Sequence, residues 1–323
     1  MDRRELLAAA AAGSLSLALD PRAVAAALGG GVSPTALVTA DEESHVVVFD
    51  LASAEVVSRL RTAPGPRSIE SVHGLTAIVA HTASGVVSVL AVGPLGLREE
   101  LDAFDAPRYT AVHPTRPLAF MTDSAREEIV VLDPEKAKVI WRTRVPGPAR
   151  HVTVSRDGRT LWTALGTAAA RVAVLDLTDP RRPRLVRTFA PPFLAHDVVF
   201  APDGRTVWVT SGSERRIALY RGERRPARVL AAGSPPQHVA FARDKAFVAN
   251  GDDGTVHRHR LDGERVREAR VPVGSYNLAF DWGSLVTPSL GVGTVSVLTW
   301  NGRVRAVRKV ARAAHDVCIV HAR

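Results

Sequence analysis

Several residue types are scarce in this sequence, and each scarcity excludes a class of protein. Only one of the 323 residues, Cys318, is a cysteine, which excludes an internal disulfide and a cysteine-rich zinc site. Aromatic residues make up 5%, so there is little material for stacking nucleic-acid bases. Lysine is rare as well, and the formal net charge of +9 comes almost wholly from arginine. Binding to nucleic acid or to an anionic envelope polymer is therefore expected only as a non-specific, salt-sensitive attraction.

The remaining composition is that of a folded protein with many turns. Apolar residues account for 46% of the chain and charged residues for 23%, which is enough to bury a sizeable core and excludes a disordered chain. Glycine (24) and proline (21) are frequent and spread along the sequence. This mixture favours many short strands over long helices.

Residues 1–30 have the composition of an export signal. Arg3 and Arg4 precede an Ala/Leu-rich run that ends near Leu19, and small residues follow at 23–27. The run is shorter than the ~20 residues of a spanning helix, so we expect no transmembrane anchor. The paired arginines resemble the twin-arginine (Tat) signal, whose route carries folded proteins. We expect a signal peptide with a short linker and a protein exported to the periplasm, cell envelope or medium; an ordinary amphipathic helix is the alternative.

The rest of the chain repeats one unit. Residues 156–164 and 202–210 share the letters Asp-Gly-Arg-Thr followed by an apolar residue and tryptophan, and an alternating strand follows each of them. That strand occurs seven times, at residues 46–50, 86–90, 128–133, 171–176, 216–220, 255–259 and 294–298. A period of roughly 40 residues with several short strands in each repeat is typical of a propeller blade.

The repeat count predicts an all-β fold, a seven-bladed β-propeller of four-stranded blades over residues 31–323. The first strand of the repeat region, at 36–39, begins in the middle of a blade, and the last, at 317–320, is a single strand without the rest of a blade. We therefore expect the C-terminal strand to pair with the N-terminal blade and close the ring, which removes unpaired sheet edges. Cys318 would then be a small buried apolar residue. Two β-sandwich domains would not explain the constant period.

The repeat units carry a family resemblance. Residues 156–176 and 202–220 resemble the YVTN-repeat, YncE-like propellers, whose repeat runs approximately P-D-G-x-x-L/V-Y-V-x-N and then V-S-V-I-D. Trp162 and Trp208 stand at the usual tyrosine position, and Asn250 keeps the asparagine. The resemblance covers essentially the whole propeller region and implies that fold, whereas the signatures of WD40 and kelch repeats are absent. Relatives include proteins of unassigned role, lactonase-like enzymes and quinone- or metal-linked subunits, and none of their catalytic motifs can be placed on this chain.

Two columns of polar residues precede the innermost strand of the seven blades. The first column contains Arg67, Arg108, Arg150, His196, Gln237, Tyr276 and His315. The second contains Ser68, Tyr109, His151, Asp197, His238, Asn277 and Asp316. The residue after the second column is apolar in six of the seven blades. Because innermost strands line the axis of a propeller, we expect both columns to surround an axial funnel.

This funnel is the predicted ligand site. Its predicted ligand-binding residues are Arg67, Arg108, Tyr109, Arg150, His151, His196, Asp197, His238, Tyr276, Asn277, His315 and Asp316. The arginines come from consecutive blades and could bind a carboxylate or phosphate in bidentate fashion. We expect a monomer that binds a small anionic or peptidic ligand, or a partner protein, in the funnel. Since blade tops are solvated, a polar ring that binds nothing specific is the alternative.

A metal site is a second alternative. Four histidines of the columns converge on the axis, namely His151, His196, His238 and His315, and imidazole suits Zn, Cu, Fe or Ni. The neighbouring aspartates could act as ligands or could orient the imidazoles. The three arginines disfavour a cation, so we assign no metal ligands and no cofactor from the sequence.

An enzyme is the third alternative. A lactonase-like hydrolase would need a general base in the funnel, which His196 with Asp197, or His315 with Asp316, could supply. The sequence contains no nucleophile elbow, and the glycines at 291 and 293 precede a strand and not the helix of a dinucleotide-binding motif.

Other polar residues have less specific predictions. The ends of the middle strands should bring His81, Asp123, Ser211 and Asn250 to the rim of the funnel. His257 and His259 lie two apart on one strand, beside arginines, and we expect a solvated basic strand there.

Overall fold

The computed structural model describes residues 33–322; the segment with the expected export signal lies outside them, as does Arg323. The described residues form seven antiparallel sheets of four strands each, with one short helix, α1 (Gly166–Ala169). The strands are three to nine residues long, and several inner strands, such as Thr76–His81 and Val207–Ser211, are buried along their whole length. The predicted seven-bladed propeller is confirmed.

Blades 1 to 4 each begin with the innermost strand. Blade 1 contains β4 (Ser68–Val72), β5 (Thr76–His81), β6 (Val86–Val92) and β7 (Leu95–Leu101). Blade 2 contains β8 (Pro107–Val112), β9 (Ala119–Asp123), β10 (Glu128–Asp133) and β11 (Lys138–Arg144). Blade 3 contains β12 (Val152–Val154), β13 (Thr160–Ala164), β14 (Val172–Asp176) and β15 (Arg184–Phe189). Blade 4 contains β16 (Ala195–Phe200), β17 (Val207–Ser211), β18 (Arg216–Tyr220) and β19 (Arg228–Ala231).

The last three blades include the closure of the ring. Blade 5 contains β20 (Pro236–Ala242), β21 (Lys245–Asn250), β22 (Thr255–Arg260) and β23 (Arg265–Arg270). Blade 6 contains β24 (Ala279–Asp281), β25 (Ser284–Pro288), β26 (Thr294–Thr299) and β27 (Val304–Lys309). Blade 7 combines both ends of the described chain, in the order β28 (Ala314–Ala322), β1 (Ser33–Ala40), β2 (His45–Asp50) and β3 (Glu55–Arg61).

The pairing of β28 with β1 closes the ring as predicted. Leu37 lies opposite Cys318 and Val38 opposite Val317 in an antiparallel ladder. Cys318 is buried, as the sequence indicated, and burial raises the pKa of its thiol well above the usual value. Closure of the ring thereby pairs the inner edge of β1, which would otherwise be open.

The hydrophobic core is divided among the blade interfaces. Seven clusters of buried apolar residues each join two neighbouring sheets, one cluster for each pair of neighbours around the ring. Between blades 3 and 4, Trp162 packs edge-on against Tyr220 of blade 4, with ring centroids 5.8 Å apart, and within its own blade against Phe189 at 5.3 Å. The repeated tryptophan thus serves the interface between blades.

One prediction about blade 5 is wrong. His257 and His259 share one face of β22, as their spacing indicated, but that face is buried. The ring of His259 packs edge-on against Trp208 of blade 4, and its Nδ1 lies 3.0 Å from the carbonyl oxygen of Gly263. His257 Nε2 lies 3.2 Å from a carboxylate oxygen of Glu268. The neighbouring blade covers this face, which the local sequence of the strand does not reveal.

Hydrogen bonds near the axis pass from each of five blades to the next. In each case a side chain donates to the carbonyl oxygen of the first-column residue of the following blade. The donors are Thr39 to Arg67, Ser68 to Arg108, Thr122 to Arg150, Thr210 to Gln237 and Asn277 to His315. The three threonines among these donors also accept the N–H of a second-column residue, as Thr210 does from Asp197 at 3.0 Å. These bonds fix the two columns against the rest of the ring.

We expect Thr210→Val to lower the free energy of unfolding by about 1–3 kcal/mol, because it leaves the Asp197 N–H and the Gln237 carbonyl without their buried partner. The matched control is Thr163→Val, since Thr163 is also fully buried but its hydroxyl makes only a marginal 3.5 Å contact to Ala164. Chemical denaturation of both variants measures the difference. Equal losses in the two variants would contradict a role of this hydrogen bond in joining the blades.

Candidate functional site

Bulges in the innermost strands aim the two polar columns at the axis. In β8, β16, β20 and β28 the two column residues lie opposite a single residue of the second strand, as between Ala195 and Val198. A bulge leaves residues outside the regular pairing and redirects their side chains. Because the innermost strands all run in one direction along the axis, the first column lies toward one mouth of the ring. We call the first column the upper tier and the second the lower tier.

The lower tier lines an axial cavity of about 510 Å³. Six of its seven residues border this cavity, with Ser68 as the exception. The next residues along the innermost strands form a mostly apolar belt below them, namely Ile69, Thr110, Val152, Val198, Val239, Leu278 and Val317. No upper-tier residue borders the cavity. The single funnel expected from the sequence is therefore divided into an upper mouth and a cavity below it.

The three arginines of the upper tier lie close enough to affect one another. Burial, and then the charges of Arg150 and Arg67, lower the pKa of Arg108. Arg67 pairs with Asp41 at 2.8 Å, and Arg108 donates to the Ser124 hydroxyl at 3.2 Å. No carboxylate among the described residues lies within 4.0 Å of Arg108 or Arg150. The upper tier thus concentrates positive charge with little internal compensation.

The two predicted aspartates join neighbouring blades. Asp197 accepts the N–H of Val198 at 2.8 Å and that of Val239, in the next blade, at 3.2 Å. Asp316 repeats this pattern with the N–H groups of Val317 and Ile69. Burial raises the pKa of both carboxyl groups to about 7. The repeated His-Asp-Val sequence is therefore a structural link between blades at both of its positions.

Three of the predicted histidines form one cluster. His151, His196 and His238 each offer a ring nitrogen within 4.8 Å of the others. The Nε2 atoms of His151 and His238 are 3.2 Å apart, and Tyr109 stacks on His151 with ring centroids 3.8 Å apart. Burial, followed by neighbouring charges, lowers the pKa of each imidazole, that of His196 to about 3. All three rings are therefore neutral at physiological pH.

The fourth histidine and two other predicted residues lie outside this cluster. His315 Nδ1 is 2.5 Å from the carbonyl oxygen of Arg67, so its ring is held at the boundary between blades 7 and 1. Tyr276 donates its hydroxyl to Asp252 at 2.7 Å, away from the axis, and this bond raises the pKa of the phenol to about 12. Asn277 borders the cavity, although its side-chain amide donates to the His315 carbonyl.

The four residues predicted at the rim do not belong to the site. His81, Asp123, Ser211 and Asn250 are fully buried within their blades. Asp123 accepts three backbone N–H groups of the adjoining loops, and Ser211 accepts two. The prediction was wrong because polar residues at strand ends satisfy the backbone of the following turn before they can reach a ligand.

The two histidine–aspartate pairs considered for general-base catalysis are not hydrogen-bonded pairs. The carboxylate of Asp197 approaches His238, with Oδ2 3.7 Å from Nδ1, and not its sequence neighbour His196. Both Asp197 and Asp316 use their oxygens on backbone N–H groups. Neither pair therefore has the hydrogen bond that the general-base hypothesis requires.

Glu70, on β4, also borders the cavity but lies outside the two columns and was not predicted. Burial, and then the nearby charge of Asp316, raise the pKa of Glu70 to about 8. Its position follows the apolar belt, where the other six blades have Ala111, Thr153, Val199, Ala240, Ala279 and Cys318. Aligning one more position of the seven innermost strands would have identified Glu70 as the single residue with a carboxyl group at that position.

The comparisons with known proteins show the fold alone. No protein-family model matches the sequence, and no curated protein matches it. A functionally unknown protein from Desulfotomaculum acetoxidans DSM 771 superposes with a TM-score of 0.77 at 13% identity, over 90% of this chain and 99% of that one. Hydrazine synthase from Kuenenia stuttgartiensis gives 0.70 at 16% identity, over 82% and 92% of the two chains. AztD from Citrobacter koseri gives 0.69 at 12% identity, over 90% and 98%.

These neighbours include seven-bladed propellers, in agreement with the blade count found here. Within the described residues, no helix has both the length and the apolar character needed to cross a membrane.

We expect Glu70→Gln to change how stability depends on pH. Between pH 4.5 and about 8 the folded protein retains the Glu70 proton while the unfolded chain releases it, so rising pH destabilises the fold until it levels off above 8. Glutamine removes this loss, and the variant should gain at least about 1 kcal/mol over the parent between pH 4.5 and 8.5. Denaturation at both pH values measures the gain. Exposed Glu99→Gln is the control, and identical profiles for all three proteins would refute the burial of a protonated Glu70.

Proposed function

We propose that this protein is an exported β-propeller binding protein whose upper mouth takes a small anion. The observation that carries the proposal is the convergence of three arginines from consecutive blades on the axis, with a carboxylate partner for Arg67 only. Guanidinium groups bind carboxylates and phosphates in bidentate fashion, and partial burial strengthens such bonds. A ligand with one of these groups would supply the missing negative charge.

The unpaired side chain of Arg150 supports this assignment. Its Nε is buried and has no hydrogen-bond partner among the described residues. A buried charged donor without a partner is costly, and a native protein usually satisfies it with a ligand or with water. The backbone carbonyl of Arg150 is held by Thr122 at 2.6 Å, so its position relative to the axis is fixed before any ligand binds. Such preorganisation favours a specific site over a diffuse basic surface.

The ligand class follows from the chemistry of the mouth. A small carboxylate or phosphate matches the arginines, and the C-terminal carboxylate of a peptide or partner protein has the same chemistry. Nucleic acid and anionic polymers would use the dispersed surface arginines instead and would bind non-specifically.

The wider assignment combines this site with the sequence. The repeat letters at 156–164 and 202–210 support membership of the YVTN-repeat, YncE-like propellers, and Arg3 and Arg4 support export by the twin-arginine route as a soluble monomer. Within this assignment the protein would meet its ligand in the periplasm, the cell envelope or the medium.

We expect replacement of Arg108 or Arg150 by alanine to weaken binding of inorganic phosphate or succinate roughly 10- to 100-fold, the value of one charge-assisted hydrogen bond. The triple variant with Arg67→Ala as well should lose binding altogether. Calorimetric titration measures these affinities, and Arg144→Ala, on the exposed outer strand of blade 2, is the control for net charge.

Salt separates the proposed site from a general polyanion attraction. Affinity for a site of this kind should persist between low and physiological salt, whereas polyanion binding should fall steeply. Unchanged anion affinity in the triple variant would overturn the proposed function.

We expect Arg3→Lys with Arg4→Lys to abolish export, since the twin-arginine route reads the pair itself and not its charge. Fractionation of cells that express the full chain measures the distribution of the protein. The control is Arg22→Lys, which keeps the pair intact. Export of the doubly substituted protein at the parental level would contradict the assigned route.

A further inference from the structure

The histidine cluster contains more unsatisfied nitrogen atoms than a packed core requires. His151 is 2% exposed, and its Nδ1 has no hydrogen-bond partner. The Nδ1 of His196 is also buried without a partner. Buried polar atoms in native structures are nearly always satisfied, so the unpartnered Nδ1 of His196 calls for an explanation, whereas that of His151 lies across its ring from the Nε2 that faces His238.

The spacing of the cluster matches a metal site. In tetrahedral zinc sites the Zn–N bonds are about 2.0–2.1 Å long, which places pairs of ligand nitrogens roughly 3.3–3.4 Å apart. His151 Nε2 and His238 Nε2 are 3.2 Å apart, and the third ring, from His196, has a nitrogen within 4.8 Å of both. A small rotation of the His196 side chain would bring its nitrogen to the ligand spacing of the other two.

Neighbouring side chains restrict the orientation of the histidine rings, as a metal site requires of its ligands. The Asp197 carboxylate lies 3.7 Å from His238 Nδ1, on the opposite side of the ring from the Nε2 that faces His151. In metal sites a carboxylate on this side of the ring orients the histidine through its second nitrogen, although at 3.7 Å Asp197 makes no hydrogen bond to His238 here. Tyr109 stacks on His151 and fixes the plane of that ring.

We propose that His151, His196 and His238 bind one divalent transition-metal ion of the zinc class, with at least one coordination position left for a water molecule or an anion. Imidazole ligands suit Zn²⁺, Cu²⁺ and Ni²⁺. From the sequence, a cation site was disfavoured because the three arginines add positive charge close to the histidines. An anion at the upper tier offsets that charge together with the charge of the ion, so the two sites are compatible. The metal site itself requires only the three histidines.

The test uses the protein purified without a histidine tag and stripped of metal. Competition titration against a chromophoric chelator should give one Zn²⁺ per chain, with Cu²⁺ and Ni²⁺ titrated in the same way. His151→Gln, His196→Gln and His238→Gln should each weaken binding at least about 100-fold, because loss of an outer partner alone costs about 10–100-fold. The matched control is His45→Gln, a partly buried histidine in blade 7 that should leave affinity unchanged.

Each result of this titration either supports or overturns the proposed metal site. Since all three histidines lie near the axis, circular dichroism and a thermal melt of each metal-free variant establish that it is folded, and Co²⁺ absorption spectra report the imidazole ligands directly. One ion per chain that depends on the three histidines supports the site. Stoichiometry well below one for all three ions, or full affinity in the three folded variants, overturns it. Phosphate binding by the metal-free protein tests the upper tier separately, so failure of one site is distinguishable from failure of the other.

Discussion

The ladder between β28 and β1 is the interaction on which the rest of the propeller depends. It joins residues from the two ends of the described chain, and it places Val317 of the apolar belt opposite Val38. Without it blade 7 would lack its innermost strand, and the apolar clusters on both sides of that blade would lose Val317, Ile319 and Cys318. A closed ring also holds seven short strands at a constant distance from one axis, which is the geometry that brings arginines and histidines from separate blades together.

The same residues that hold the ring together also build its site. Asp197 binds backbone N–H groups in two blades and lies beside His238, while Thr122 fixes the carbonyl of Arg150. The polar layer near the axis is therefore rigid, with side chains positioned by hydrogen bonds that exist without any ligand. Its two tiers differ in chemistry: one exposes cations to the mouth, and the other presents neutral imidazoles and two carboxyl groups with raised pKa values to the cavity.

The sequence predicted the blade count, the closure and the two polar columns, because each depends on a repeat whose register is visible in the letters. It did not predict which column residues line the cavity or form the histidine cluster. Bulges redirect individual side chains, and only contacts across the axis decide which of these side chains meet. His315 and His196 occupy the same column, yet the Arg67 carbonyl holds one and the cluster holds the other. Burial of His259 depends on Trp208 in a neighbouring blade, some fifty residues earlier in the chain, and was equally invisible in the local pattern.

The position of β28 in blade 7 has a consequence for biosynthesis. The first described strand leaves the ribosome some 270 residues before its inner partner, so the nascent chain exposes the inner edge of β1 until β28 has emerged. Contacts between such distant segments form slowly, and the ring can close only after residues 314–322 have left the ribosome. Until then the open edge of β1 is the place where a wrong strand could pair.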